Sequence, residues 1–402
     1  MSWKGVTVMD QKVRFISEYL KRFFRFSELC EQFSISRKTG YKWVKRYQAD
    51  KVRGLEDRSH RPHTCPHKTD EGITTSLVTL RGKHPTWGPK KLLGLLQRKE
   101  HRDDYPAIST AADILKRSGL IKAERRNHKR LHPGCPTTVS NQPNQIWTAD
   151  YKGQFKMRNG EYCYPLTVCD MHSRYLLGCE AHPGVSLERT KQYFSLLFEQ
   201  YGLPERIRTD NGVPFASSAI ARLSALSVWW IKLGIYPELI EPGCPEQNGK
   251  HERMHRTLKK ETTIPAEKNL YNQQERFDVF RKEYNTIRPH ESLEMKTPAE
   301  LYTPSVRKMP KKLMHYDYPS YFEVRLVSNN GGTRWHKRRL PVSQTLAKEY
   351  IGFEEIDNGI YNVYFCNLLI GRFFEELHRI KDIITRVPTR MRNVRVSPIN
   401  PE

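Results

Sequence analysis

The sequence lacks any long apolar run. Its best stretch, around Leu223–Ile235, is short and carries Lys232, well below the roughly 20 residues of a membrane span. Paired cysteines are also missing. Eight cysteines are scattered through the chain with no CxxC, which argues against a disulfide framework or a cysteine zinc ribbon and for reduced thiols in a cytosolic setting. There is no P-loop and no GxGxxG, so nucleotide hydrolysis and dinucleotide chemistry lose their best handles. The opening Met1-Ser2-Trp3-Lys4-Gly5 has no apolar signal core. Acidic residues are scarce as well: 44 Asp and Glu face 68 Lys and Arg, a formal charge of +24.

What is present points to a folded protein that meets a polyanion. Hydrophobic content of 37% and aromatic content of 11% are too high for a disordered basic tail, and nucleic acid leads the list of partners for such a charge. The 402 residues suggest two to three domains and at least one full core. The charge is uneven. Residues 1–140 hold 30 basic and 14 acidic side chains, the remainder 38 and 30. Two thirds of the excess therefore lies in the first third of the chain, as in a binding front end with a more balanced back end.

Residues 10–50 read as three short helices. Val13, Ile16, Tyr19 and Leu20 recur at helical spacing, Ser27 is a candidate cap for a second helix, and Ser36 for a third. The third carries Arg37, Lys38, Lys42, Lys45 and Arg46 around Tyr41, Trp43 and Val44. Helix, short turn, basic helix is the helix-turn-helix pattern, whose second helix enters the major groove. Residues 56–72 read as a linker. Its His60, His63, Cys65 and His67 are metal-ligand types, but their spacing matches no zinc pattern. Residues 73–121 suggest a second helical module, opened by Trp87-Gly88-Pro89 and with Ser109 as a further cap. The charge run from Lys122 to Arg130 reads as a basic linker over 122–141 that can also touch phosphates.

From Asn144 the pattern turns to strands: 145–155, 162–169 and 175–180, then a helix over 186–201 and a short strand ending at Asp210. A helix over 217–233, a strand near 238–240, a long helix from Pro245 and another over 270–286 follow, which together argue an α/β layer over 142–305. Residues 306–384 read as about five short strands with hairpin turns at Asn330-Gly331 and Asn358-Gly359, expected to close a small β-barrel. The basic tail, 385–402, reads as unstructured.

Three carboxylates stand out by setting. Asp150 lies on a strand, on the same face as Ile146 and Thr148; an acid facing a core is costly unless it is paired or binds metal. Asp210 ends a strand, where α/β sheets place their sites. Glu246 follows Pro245 in what reads as the first turn of the long helix. Fifty-nine residues separate the first pair and 35 the second. Two aspartates on neighbouring strands and a glutamate on a helix beside them can hold two Mg²⁺ ions that activate a water or a 3′-hydroxyl and stabilise the leaving oxygen of a phosphodiester. Taken singly, Asp210-Asn211-Gly212 is also a good turn and Glu246 a good first-turn acid. On a uniform helical wheel Lys250, Arg253, Thr257 and Lys260 share the side of Glu246, as suits a helix lying along DNA or, equally, a solvated basic face.

These blocks resemble those of bacterial insertion-sequence transposases with a retroviral-integrase core. The likeness rests on Trp147-Thr-Ala-Asp150-Tyr-Lys-Gly, Arg208-Thr-Asp210-Asn-Gly-Val-Pro-Phe and Pro245-Glu246-Gln-Asn-Gly-Lys-His-Glu-Arg-Met-His-Arg-Thr-Leu-Lys. Tyr284-Asn285-Thr-Ile-Arg288-Pro289-His290 and Thr297-Pro298-Ala-Glu-Leu-Tyr302 add to it. The gap of 35 matches the D,D-35-E pattern. The resemblance implies a multidomain α/β protein: helix-turn-helix modules over 1–55 and 73–121, a ribonuclease-H-like core and the end barrel. It also implies that Asp150, Asp210 and Glu246 bind two Mg²⁺ ions, with Mn²⁺ an alternative. The ends of the element would be nicked by hydrolysis and the freed 3′-hydroxyls joined to target DNA. Double-stranded DNA, at transposon ends and target, would be the partner, bound by a homodimer or larger homo-oligomer, in the cytoplasm on the bacterial nucleoid and without a membrane. Asn248, Lys250 and Arg253 would touch DNA near the scissile phosphate, with Asn248 alternatively a cap. Two other readings keep the fold: a catalytically silent regulator that only binds DNA, and a metal-dependent nuclease that cuts without joining.

Overall fold

A computed structural model describes residues 7–57, 69–100, 104–121, 138–151, 153–313 and 315–384. The expectations for the His60–His67 linker, the Lys122–Arg130 run and the tail after 384 lie outside these. The chain falls into two compact units, Met1–Lys68 and Thr69–Glu402.

The described part of the first unit holds three α-helices, α1 (Val8–Lys21), α2 (Phe26–Gln32) and α3 (Arg37–Asp50), and a closing 3₁₀ turn, Lys51–Leu55. They close around Phe15, Ile16, Leu29, Cys30, Trp43 and Val44. Ser36 caps α3 as its sequence suggests, its hydroxyl accepting the Thr39 N–H at 3.2 Å. Ser27 does not cap α2. That helix starts two residues earlier than a Ser27 cap would set it, with the Arg25 N–H donating to the Glu28 carboxylate at 3.1 Å.

The second unit opens with α4 (Glu71–Lys83), α5 (Pro89–Glu100) and α6 (Ile108–Arg117), packed on Leu77, Trp87, Leu92, Leu96, Ile114 and Leu115. Ala107 rather than Ser109 precedes α6. This module is docked on the α/β core. Arg98 makes a two-pronged pair with Glu300 at 2.7 and 2.9 Å, His84 meets Glu283 at 2.8 Å, Thr86 donates to Glu261, and the Arg288 guanidinium lies 5.4 Å over the Trp87 ring.

The core sheet contains β1 (Ile146–Tyr151), β2 (Phe155–Lys156), β3 (Tyr162–Asp170), β4 (Leu176–His182), β5 (Arg206–Thr209) and β6 (Tyr236–Leu239). Its order is β2-β3-β1-β5-β6, with β4 on β3. β1, β3 and β4 are antiparallel, while β1, β5 and β6 are parallel. One face packs on α7 (Leu187–Tyr201) and α8 (Ala225–Lys232) through Trp147, Ala149, Leu166, Val168, Phe194 and Trp230. The alternation that turns Trp147 and Ala149 to this face turns Thr148 and Asp150 to the other. There α9 (Gly249–Thr262) and α10 (Leu270–Thr286) pack through Met254, Leu258, Phe277 and Phe280. α10 also covers the free edge of β4: the Asn285 side chain bonds both the N–H and C=O of Leu176, and Gln274 the N–H of Ala181 and C=O of Cys179. Helix α11 (Pro298–Leu301) follows.

Two expected helices are interrupted. The stretch 217–233 is broken because Ala221 and Arg222 adopt φ of +50° and +53°; Ser224 then caps α8 afresh, accepting the Ser227 N–H at 3.2 Å. The long helix does not begin at Pro245. Residues Pro245–Asn248 form a 3₁₀ turn, and α9 starts at Gly249.

The C-terminal strands are β7 (Glu323–Leu326), β8 (Gly332–Trp335), β9 (Arg338–Pro341), β10 (Tyr350–Asp357), β11 (Ile360–Phe365), β12 (Leu368–Phe374) and β13 (Arg379–Asp382). Among the described residues the expected barrel is not found. Five strands form an open antiparallel sheet, β13-β12-β11-β10-β7, and β8-β9 a separate hairpin. The sheet has no need to close on itself because the core supplies its cover. Ile220, Leu223, Val228 and Ile231 join Trp335, Phe353, Val363 and Phe373 in one apolar cluster. Helix α8 is apolar all round, since its Leu226, Trp229 and Trp230 face the core sheet.

Cys30, Cys163, Cys169, Cys179 and Cys366 are free and buried, as reduced thiols should be. Cys244 departs from that expectation and is disulfide-bonded. Among the described residues no helix is long and apolar enough to cross a membrane.

Candidate active site and nucleic-acid interface

The parallel pairing of β1 with β5 sets Ala149 opposite Thr209. Asp150 and Asp210, each the next residue on, therefore leave neighbouring strands at the same C-terminal edge. Asp150 is about one fifth exposed. The Asp210 carboxylate accepts the Gly212 N–H at 3.1 Å, closing the Asp-Asn-Gly turn.

Helix α9 is keyed to this edge by two buried histidines. Thr167, which pairs with Asp150 in the β1–β3 register, donates to the Asp150 carbonyl at 3.1 Å and meets His251 Nε2 and His255 Nε2 at 2.7 Å each. One hydroxyl donates once and accepts twice, so both Nε2 atoms carry hydrogen. His251 Nδ1 then accepts from Thr148 at 2.7 Å. Burial drives the His251 pKa down to about 3, and the ring is neutral. His255 Nδ1 stands 3.6 Å from Asp150 Oδ2.

These contacts place the glutamates. Glu246 lies nine positions before His255, a rise of more than about 13 Å. The neighbouring Gln247 carbonyl accepts from Arg208 at 3.2 Å, and the same guanidinium nitrogen touches Met171 Sδ at 3.4 Å. Met171 is bonded to Ile146 at the start of β1, the end away from Asp150. The structure thus brings Asp150 and Asp210 together, and among the described residues Glu246 does not complete a three-residue metal group with them. Glu252 is one turn from His255. With His251, Met254, His255 and Leu258 turned inward, Lys250, Arg253 and Thr257 fall on one flank, beside Arg174 and Tyr284. Glu252 projects from the opposite flank at 100° per residue. The sequence carried its own signal for Glu252, a second acid in the same motif, but the spacing of 35 drew attention to the first. Among the described residues no three His, Cys, Asp or Glu side chains stand within reach of one metal ion.

The remaining expected contacts divide. On α3, Arg37, Lys38, Lys42 and Lys45 are exposed and Arg46 half-buried; Lys42 and Arg46 flank the Trp43 ring at 4.9 and 5.0 Å. The fold thus presents the basic helix expected of a groove reader. Asn248 is buried at the N-terminal boundary of α9 without a side-chain cap bond. Lys250 and Arg253 do share a stripe, but it faces a cleft walled by Arg174 and Arg288.

The integrase core domain family matches residues 140–245 and again 233–298, the segments that carry the sheet, the two aspartates and α9. Over these residues the core is similar to integrase core domains. A helix-turn-helix domain family matches residues 11–63 and a homeodomain-like family residues 39–115. The resemblance to insertion-sequence transposases is borne out. An uncharacterized 39.2 kDa protein of insertion element IS476 from Xanthomonas euvesicatoria is 27% identical over 311 residues, covering 74% of this chain and 78% of its own length. The transposase InsD of insertion element IS2 from Escherichia coli is 25% identical over 251 residues, 58% of this chain and 79% of that one. Among solved structures, the HTLV-2 integrase catalytic core domain in complex with magnesium is 16% identical. It covers 41% of this chain and 100% of its own, with a TM-score of 0.33.

Proposed function

We propose that this protein is a DNA transposase that binds the terminal inverted repeats of its element, nicks those ends by metal-dependent hydrolysis and joins the freed 3′-hydroxyls to target DNA. The observation that carries the reading is the pair Asp150 and Asp210 at one edge of an integrase core, with α9 locked beside them through Thr167, His251 and His255. The donor chemistry fits hard divalent cations: carboxylate oxygens on neighbouring strands, part-exposed, with a further carboxylate available from the segment around α9. Asp150, Asp210 and one glutamate would hold two Mg²⁺ or Mn²⁺ ions, which supply a lowered pKa at the attacking oxygen and charge stabilisation at the leaving one. The chain itself orients the pair. Thr167 fixes the backbone of Asp150, and the Asp210 turn aims its carboxylate at the same edge.

For the third carboxylate, spacing names Glu246 and geometry favours Glu252. End recognition falls to α3 through Arg37, Lys38, Lys42, Lys45 and Arg46, and Asn248, Lys250 and Arg253 remain candidate contacts to DNA. Synapsis of two ends calls for a homodimer or larger assembly, acting on cytoplasmic, nucleoid DNA. The test is a strand-transfer assay with a precleaved end duplex, a target plasmid and Mg²⁺. Joined product that disappears with chelation is expected; binding without product is the result of a silent regulator, and nicks without joining that of a nuclease. Run side by side, Glu252→Gln loses joining and Glu246→Gln keeps it; the reverse restores the spacing-based assignment.

A further inference from the structure

The cleft beside α9 lies away from the aspartate pair and is walled by four parts of the second unit. Lys91 comes from α5, Arg174 from the turn between β3 and β4, Lys250 and Arg253 from α9, and Arg288 and His290 from the segment after α10. It is small, about 70 Å³. Five basic side chains, Lys91, Arg174, Lys250, Arg253 and Arg288, converge on it. Glu261 is 2.6 Å from Arg288 and also accepts from Thr86, while Glu291 and Asp170 offset part of the charge on Lys91 and Arg174. The buried Arg174 Nε–H has no hydrogen-bond acceptor among the described residues. A buried N–H without an acceptor is costly, and so is a knot of like charges in a low-dielectric cleft. The strain is visible in Lys91, whose ammonium is pushed down to about 8 by burial and by Arg288, and in Arg174, whose pKa burial also lowers.

We infer that this cleft is a binding site for a single phosphate group, either a backbone phosphodiester of duplex DNA or a free phosphate anion. A tetrahedral oxyanion supplies several acceptor oxygens and negative charge at once, and guanidinium forks suit it. A phosphate held through its charge and oxygens carries no base identity, so such a site reads no sequence. Because Lys91 belongs to the helical module and the other groups to the integrase core, an occupied cleft ties the two together. The inference is independent of the chemistry at Asp150 and Asp210.

The experiment titrates inorganic phosphate into the full chain by calorimetry, at constant ionic strength set with chloride. Lys91→Met and Arg174→Gln each weaken phosphate binding by about tenfold or more, while Lys91→Arg, which keeps the charge, retains it. A random-sequence duplex distinguishes the sources. If a DNA phosphodiester fills the cleft, the duplex displaces phosphate, and Lys91→Met makes the salt dependence of duplex binding shallower by about one unit of slope. If the ligand is free phosphate, the duplex leaves phosphate binding unchanged. No phosphate binding by the wild-type chain, or equal binding by wild type and both charge-removing variants, overturns the inference.

Discussion

His251 sits fully buried between Thr148 and Thr167 with both ring nitrogens engaged, and this makes the core sensitive to acid. Its pKa in the fold, about 3, lies below the ordinary 6.5. The unfolded chain therefore binds a proton that the folded one refuses. The stability this neutral ring contributes is complete above pH 6.5 and is lost as pH falls toward 3. His290 is depressed in the same direction, to about 3 by burial and Arg288. Between pH 7.5 and 5.5 each histidine should cost about 1.4 kcal/mol. Urea unfolding of wild type and His251→Asn at the two pH values checks this: the variant, though weaker at pH 7.5, loses roughly half as much on acidification. An equal loss in both would show that His251 is not held neutral.

At the scale of elements, the front unit depends on how closely α3 lies on α1 and α2. A Cβ on Gly40 would stand 2.8 Å from Cys30 Sγ and 2.9 Å from the Phe26 ring. Gly40→Val should therefore push α3 outward and destabilise the first unit by about 1–3 kcal/mol. Selective DNA binding should fall while any activity of the core on random duplex persists; electrophoretic mobility shifts with specific and random DNA measure the difference. Much of this level was legible in the sequence. Helical periodicity and the Ser36 cap gave the first three helices, and alternation placed Thr148 and Asp150 on one face of β1. The misses share a physical cause. Pro245 is a good first-turn residue, yet the chain must first climb from β6 over Arg208, and it does so in a tighter 3₁₀ turn. That turn breaks the uniform 100° phase on which the stripe shared with Glu246 was drawn. Likewise, the strands after 320 looked like a self-sufficient barrel because nothing local announces that Val228 and Ile231, on the second apolar side of α8, cover their sheet.

In the whole molecule, charge and architecture divide the labour. Residues 69–402 carry 52 basic against 37 acidic side chains and form a compact unit of their own. Removing Met1–Lys68 should leave a folded protein that binds DNA weakly and with strong salt dependence, but without preference for the element's ends. A truncated chain that still selects those ends over random duplex would move recognition out of α3. The central claim concerns the aspartate pair, and single-turnover strand transfer from a precleaved end tests it most directly. Asp150→Asn and Asp210→Asn are each expected to lower the joining rate by about 10³-fold or more while end binding, measured on the same preparations, stays within a factor of about two; joining at the wild-type rate by either variant would contradict the account.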